Sequence, residues 1–127
     1  LTELDDEDII RLFQHINEFT KFVKYQSALA QIDEVNAKKE LEWIEASSSS
    51  TYAAANPKAT VTAIKALCSA DPKVMAAANK LQARHDYRKV LDVMVSNLEA
   101  DMNLVSRELT RRTSGGSFKT RGSRFTV

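Results

Sequence analysis

Glycine is absent before residue 115, proline occurs only as Pro57 and Pro72, and there is a single cysteine, Cys68. A chain with so few helix breakers over more than a hundred residues, and with no two-residue alternation to mark a strand, reads as all-α. One cysteine excludes an internal disulfide and fits a reducing, intracellular setting. Its small apolar neighbours in "IKALCSA" make it a packed thiol, because a reactive thiolate needs nearby positive charge and access. No apolar run approaches the roughly 18 residues a membrane helix requires, and no signal-peptide pattern is present. An initiator Met is also missing, as expected of numbering that starts inside a longer product.

Catalytic and metal-binding signatures are equally scarce. The two histidines, His15 in "LFQHINEF" and His85 beside Asp86, belong to no HExxH or other ligand spacing, CxxC does not occur, and no glycine is placed to cradle a phosphate. The expectation is a protein that is not an enzyme, with no catalytic residues, no metal and no cofactor.

At 127 residues the chain has room for one domain with a modest core. Its 18 Lys+Arg and 17 Asp+Glu nearly cancel, for a net charge of +1, but they are not evenly spread. Glu3, Asp5, Asp6, Glu7 and Asp8 open the chain without a base. Arg107, Arg111, Arg112, Lys119, Arg121 and Arg124 close it against Glu108 alone.

A first long helix starts near Asp6, capped by Asp5, Asp6 or Glu7. Its apolar positions Ile9, Leu12, Phe13, Ile16, Phe19 and Val23, then Phe22, Tyr25, Leu29 and Ile32, recur at steps of three and four, with a phase shift near Tyr25 that resembles a stutter. Trp43 and Ile44 close this face. The segment "ASSSSTYAAANPKA" then reads as an exposed connector, with a hinge near 47–59. Thr60 caps a short helix, "VTAIKALC". In "SADP", Asp71 is an N-cap and Pro72 a first helical residue, so the break is a start signal for a second long helix running to about Arg112.

That helix carries a heptad register: Val74, Leu81, Arg88, Val95, Met102 and Leu109 share one position, and Ala77, Arg84, Leu91, Leu98, Val105 and Arg112 the other. Two long amphipathic helices in so thin a chain are expected to self-associate, and Val74, Leu81, Leu91, Val95, Leu98, Met102, Val105 and Leu109 are the expected oligomerisation residues. The seam is interrupted at "RHDYRK", where Arg84, Arg88 and Lys89 replace apolar residues. They read as a phosphate-contacting patch, a solvated turn, or a device that fixes register at some cost in stability. The expected organisation is one all-α domain over 1–112 and a flexible basic tail over 113–127.

The tail, "GGSFKTRGSRFTV", interleaves Lys119, Arg121 and Arg124 with Phe118 and Phe125. Cations neutralise phosphates while aromatic faces stack on unpaired bases, so single-stranded nucleic acid is the indicated partner, with Arg107, Arg111 and Arg112 leading into the tail. A solubilising terminus, or one that docks on the acidic start of a neighbouring subunit, is the other reading of the same residues.

The arrangement of "T-x-x-x-IKALCSADPKVMAAANKL" and a helix ending "LVSRELTRRT" resembles the small phage recombination mediator proteins, the UvsY-like family. The resemblance covers about 60–112, with "NAKKELEW" at 36–43 weakly similar to the Lys-Lys portion of the family's first helix. It implies an all-α, ring-forming protein in the cytoplasm of a phage-infected host cell. Such a protein binds single-stranded DNA and helps load a RecA-like recombinase onto strands covered by single-stranded-DNA-binding protein, with no catalysis of its own. Of the family's basic residues ahead of a tyrosine, only Lys38 and Lys39 match. "ELEWIEASSSS" before Tyr52 has no base, so the tail is the expected DNA-contacting segment. The rival expectation is a non-enzymatic helical phage structural or scaffolding component whose acidic start and basic end pair between subunits.

Overall fold

A computed structural model describes residues 1–114, and among them it contains three α-helices and no strand: α1 (Asp6–Ala55), α2 (Val61–Ala70) and α3 (Pro72–Ser114). The all-α expectation, two long helices and a short one, holds. Each start is capped as the residue types dictate. Asp5 Oδ1 accepts from the Asp8 N–H at 2.8 Å, Thr60 Oγ1 from the Ala63 N–H at 3.2 Å, and Asp71 Oδ1 from the Lys73 N–H at 2.9 Å, with Pro72 in the first helical position.

The expected connector is much shorter than the polar composition of 46–59 suggests. The serine run is helical, and α1 ends only at Ala55, where Pro57 discourages helix for the residue before it. Serine costs a helix only a few tenths of a kcal/mol per residue relative to better formers, and Ala53–Ala55 offset part of that. Ser48 is also buried, with its hydroxyl 3.4 Å from Asp71 Oδ2. The break itself is a turn, closed by the Ala59 N–H on the Asn56 carbonyl at 3.0 Å.

The chain divides into two compact units, and α1 and α3 contribute to both. Among the described residues, the first comprises 1–25 with 91–114. Its order is antiparallel, since Asp6 meets Arg112 while Lys24 meets Glu99. Ile9, Thr20, Val23, Leu91 and Val105 are buried there, with Leu12, Ile16, Val95, Leu98, Met102 and Leu109 half-buried around them.

The second unit, 26–90, is also antiparallel: Glu34 meets His85 and Arg88, and Glu40 meets Lys80. Its buried residues are mostly small: Ala30, Ala37, Ser48, Ile64, Cys68, Val74 and Ala77. The inward positions Ala30, Glu34, Ala37, Leu41, Ile44 and Ser48 continue at steps of three and four, in the register that Ile9, Leu12, Ile16, Thr20 and Val23 begin.

That register corrects the stutter read near Tyr25. Phe22, Tyr25, Leu29 and Ile32 are not the shifted continuation of the inner stripe; they are exposed, on a separate face of the same helix. Phe19 is exposed as well, and its ring stacks on that of Phe22 at 6.4 Å between centroids. Trp43, expected to close the apolar face, is 70% exposed, and Ile44 alone turns inward. The inner seam keeps its phase by changing from large to small side chains, which is why counting large apolar residues loses it.

Candidate nucleic-acid interface

The cations singled out for phosphate contact separate into those already engaged by carboxylates and those left on the surface. Arg112 is the clearest departure from expectation. It is 4% exposed. Its guanidinium donates to Glu108 Oε1 at 2.9 Å, to Asp6 Oδ1 at 2.8 Å, to the Leu1 carbonyl at 3.0 Å and to the Leu4 carbonyl. A guanidinium has five N–H donors, so four such bonds leave almost nothing for a phosphate. Arg111 is exposed, but it clasps Glu108 bidentately, through Nε at 2.9 Å and Nη2 at 2.7 Å. These two arginines, Arg111 first and Arg112 second, hold the Glu108 carboxyl at about 2, against an ordinary 4.5. Glu108 in turn raises the pKa of both arginines.

Arg88 is engaged in the second unit. It is half-buried and donates through Nε to Glu34 Oε2, while His85 Nδ1 lies 2.8 Å from Glu34 Oε1. A carboxylate only accepts, so this contact places a hydrogen on Nδ1. The hydrogen bonds from Arg88 and then from His85 lower the Glu34 pKa to about 2. The interruption at "RHDYRK" is therefore a polar layer in the helix pairing, answered by Glu34 from α1. Arg84, expected in the seam beside Arg88, is exposed.

Three helix-borne cations match the expectation of an accessible base. Arg84, Lys89 and Arg107 are exposed and have no ion pair among the described residues. The tail residues Phe118, Lys119, Arg121, Arg124 and Phe125 lie outside the described residues. The tail they belong to follows directly on α3, whose last turns carry Arg107, Arg111 and Arg112.

The expected oligomerisation seam is occupied within the chain. Val74, Leu91 and Val105 are buried, and Leu81, Val95, Leu98, Met102 and Leu109 half-buried, by contacts inside their own units. Within each unit the α3 stripe faces the inner stripe of α1 in the same chain, so three of the eight side chains are buried without a neighbour and the other five keep part of their surface exposed.

Other candidate chemistry stays quiet. Cys68 is buried on the inner face of α2 with Ile64, as a packed thiol should be. His15 is exposed, and among the described residues no group of three or more His, Cys, Asp or Glu side chains is placed to hold a metal ion. No helix among them is long and apolar enough to cross a membrane.

One cluster has no signature in the sequence beyond a helix cap. Asp71 Oδ2 accepts from the Tyr52 hydroxyl at 3.0 Å as well as from Ser48, while Oδ1 caps α3. The Lys73 N–H and then the Tyr52 hydroxyl lower the Asp71 pKa, and Asp71 raises that of Tyr52. Only the N-cap role was legible, since Tyr52 and Ser48 are 19 and 23 residues away.

Compared with protein-family models, with curated proteins and with solved structures, the chain matches none of them.

Proposed function

We propose that the chain is an oligomeric single-stranded-DNA-binding protein of the recombination-mediator kind. It helps a RecA-like recombinase displace single-stranded-DNA-binding protein and has no catalytic activity of its own. The observation that carries this reading is the division of cations. Arg88, Arg111 and Arg112 serve the fold, whereas Arg107 on the surface leads into a tail whose Lys119, Arg121 and Arg124 alternate with Phe118 and Phe125. Arg84 and Lys89 offer a further basic surface in the second unit.

Four cations on single-stranded phosphates give a salt slope of about −3 and roughly a fiftyfold loss of affinity between about 50 and 200 mM salt. Fluorescence anisotropy of a labelled poly-dT strand against the full chain measures this. A Lys119→Gln/Arg121→Gln/Arg124→Gln variant should lose most of both the binding and the salt slope. Binding indifferent to salt sinks the proposal.

A second reading, a helical phage structural or scaffolding component, is favoured by a different observation: large apolar side chains of α1 are exposed. The charge-neutralised variant separates the two readings. A mediator keeps its assembly state and loses DNA binding, whereas a structural component built on acidic-to-basic pairing between subunits loses assembly.

A further inference from the structure

Within the second unit, the last turns of α1 and the start of α3 border a groove of about 280 Å³. One wall is Trp43, the only tryptophan of the chain, and it is 70% exposed. Ser47 and Thr51 continue that wall at steps of four residues, one helical turn apart. Half-buried Ile44, Tyr52 and Asp71 line the inner side, and exposed Lys73 completes the lining from α3.

An indole kept in water forfeits most of the hydrophobic gain that an aromatic ring can make. Its neighbours select what can cover it. The Tyr52 hydroxyl donates to Asp71 Oδ2 at 3.0 Å, and the Thr51 hydroxyl donates to the Ser47 carbonyl at 2.9 Å. With those hydrogens committed, the Tyr52, Thr51 and Asp71 oxygens offer lone pairs to the groove, while the Ser47 hydroxyl can adapt either way. Such acceptors repel a phosphate and suit the N–H edge of a nucleobase. The cation belongs to the rim: Lys73 gives its backbone N–H to Asp71 at 2.9 Å, and its ammonium has no ion pair among the described residues. A ring wall, an acceptor-rich inner side and a cation at the edge match one nucleotide, with the base on the indole and the phosphate on the ammonium. The groove is smaller than the 300–1,000 Å³ usual for small-molecule sites, so it holds one base while the strand continues outside it.

We propose that this groove takes one unpaired base of a single-stranded DNA, with Trp43 as the stacking platform and Lys73 on the adjoining phosphate. The inference rests on the DNA half of the proposed function and adds to it a contact carried by the helices, far in sequence from the basic tail.

The test is tryptophan fluorescence of the full chain titrated with unlabelled poly-dT, beside anisotropy of the labelled strand. Because Trp43 is the sole indole, its emission reports on this groove alone. Emission should be quenched in step with the rise in anisotropy. Trp43→Ala should keep its helicity by circular dichroism, since residue 43 is exposed, and should weaken binding by about fivefold or more, the worth of one stacked base. Trp43→Phe keeps a ring and should recover most of that loss. Lys73→Gln retains the backbone N–H that Asp71 caps and should make the salt slope shallower by about 0.7. Trp43 emission unchanged when poly-dT binds, or a Trp43→Ala variant as tight as the parent, overturns the inference and leaves the tail reading intact. A parent that binds no poly-dT overturns both. Emission that follows protein concentration and ignores poly-dT makes Trp43 a contact between copies and overturns the inference as well.

Discussion

The two units pair the same two helices by different means. In the first, α1 turns Ile9, Leu12, Ile16 and Val23 inward, and the hydrophobic area removed from water carries the packing. In the second, the corresponding positions hold Ala30, Glu34, Ala37, Leu41, Ile44 and Ser48; the fully buried ones, Ala30, Ala37 and Ser48, are all small, and Leu41 and Ile44 are half-buried. Pairing there leans on close small-residue contact and on the layer of Glu34, His85 and Arg88. Polar layers of this kind favour one register, because sliding the helices leaves a carboxylate or a guanidinium half-buried and unanswered. The first unit is thus built on bulk and the second on matching.

The largest expected effect strikes the first unit. Ile9 is fully buried, and Ile9→Ala should cost about 2–5 kcal/mol in urea unfolding through lost transfer energy and the cavity left behind. The second unit should show the opposite sensitivity. Ala37→Leu, harmless by composition, forces an extra isobutyl group into a seam of small residues and should cost about 1–3 kcal/mol.

Acid tests the polar layers. Glu34 and Glu108 both have their pKa lowered to about 2 in the fold, so each favours the folded state fully above about pH 4.5, and that contribution is lost as pH falls toward 2. The urea midpoint should therefore hold steady above pH 5 and fall between about 4.5 and 2. Glu34→Gln should lower the neutral-pH midpoint and make the acid slope shallower; a parent whose midpoint is flat to pH 2.5 refutes the argument. The smallest effect belongs to the outward face: Ile32→Glu should move single-chain stability by less than about 0.5 kcal/mol.

What was legible in the sequence was local. Asp5, Thr60 and Asp71-Pro72 announce helix starts through side chains that reach only two or three residues, and the structure places a cap at each. What was not legible depends on distant partners. The serine run looks like a connector until Ser48 and Tyr52 are seen to meet Asp71. Arg112 looks like a phosphate ligand until Asp6, 106 residues away, is beside it. The inner seam hid for a further reason: hydrophobic patterning counts large side chains, and here Leu29, Ile32, Val35 and Trp43 face out while Ala30 and Ala37 mark the buried interior, with Leu41 and Ile44 the large side chains that turn inward. In "RHDYRK" the break in the seam is visible in the sequence, but nothing in those six residues points to Glu34.

Asp71 has a kinetic consequence. Its two oxygens bind the first turn of α3 and two side chains of α1, while its own N–H donates to the Cys68 carbonyl at the end of α2. One residue thereby ties three helix ends into a single opening unit. Amide exchange at Lys73 should then follow the release of Tyr52 rather than the ordinary fraying of a helix end, so the corner should behave as one of the slower-exchanging parts of the backbone despite its place between helices.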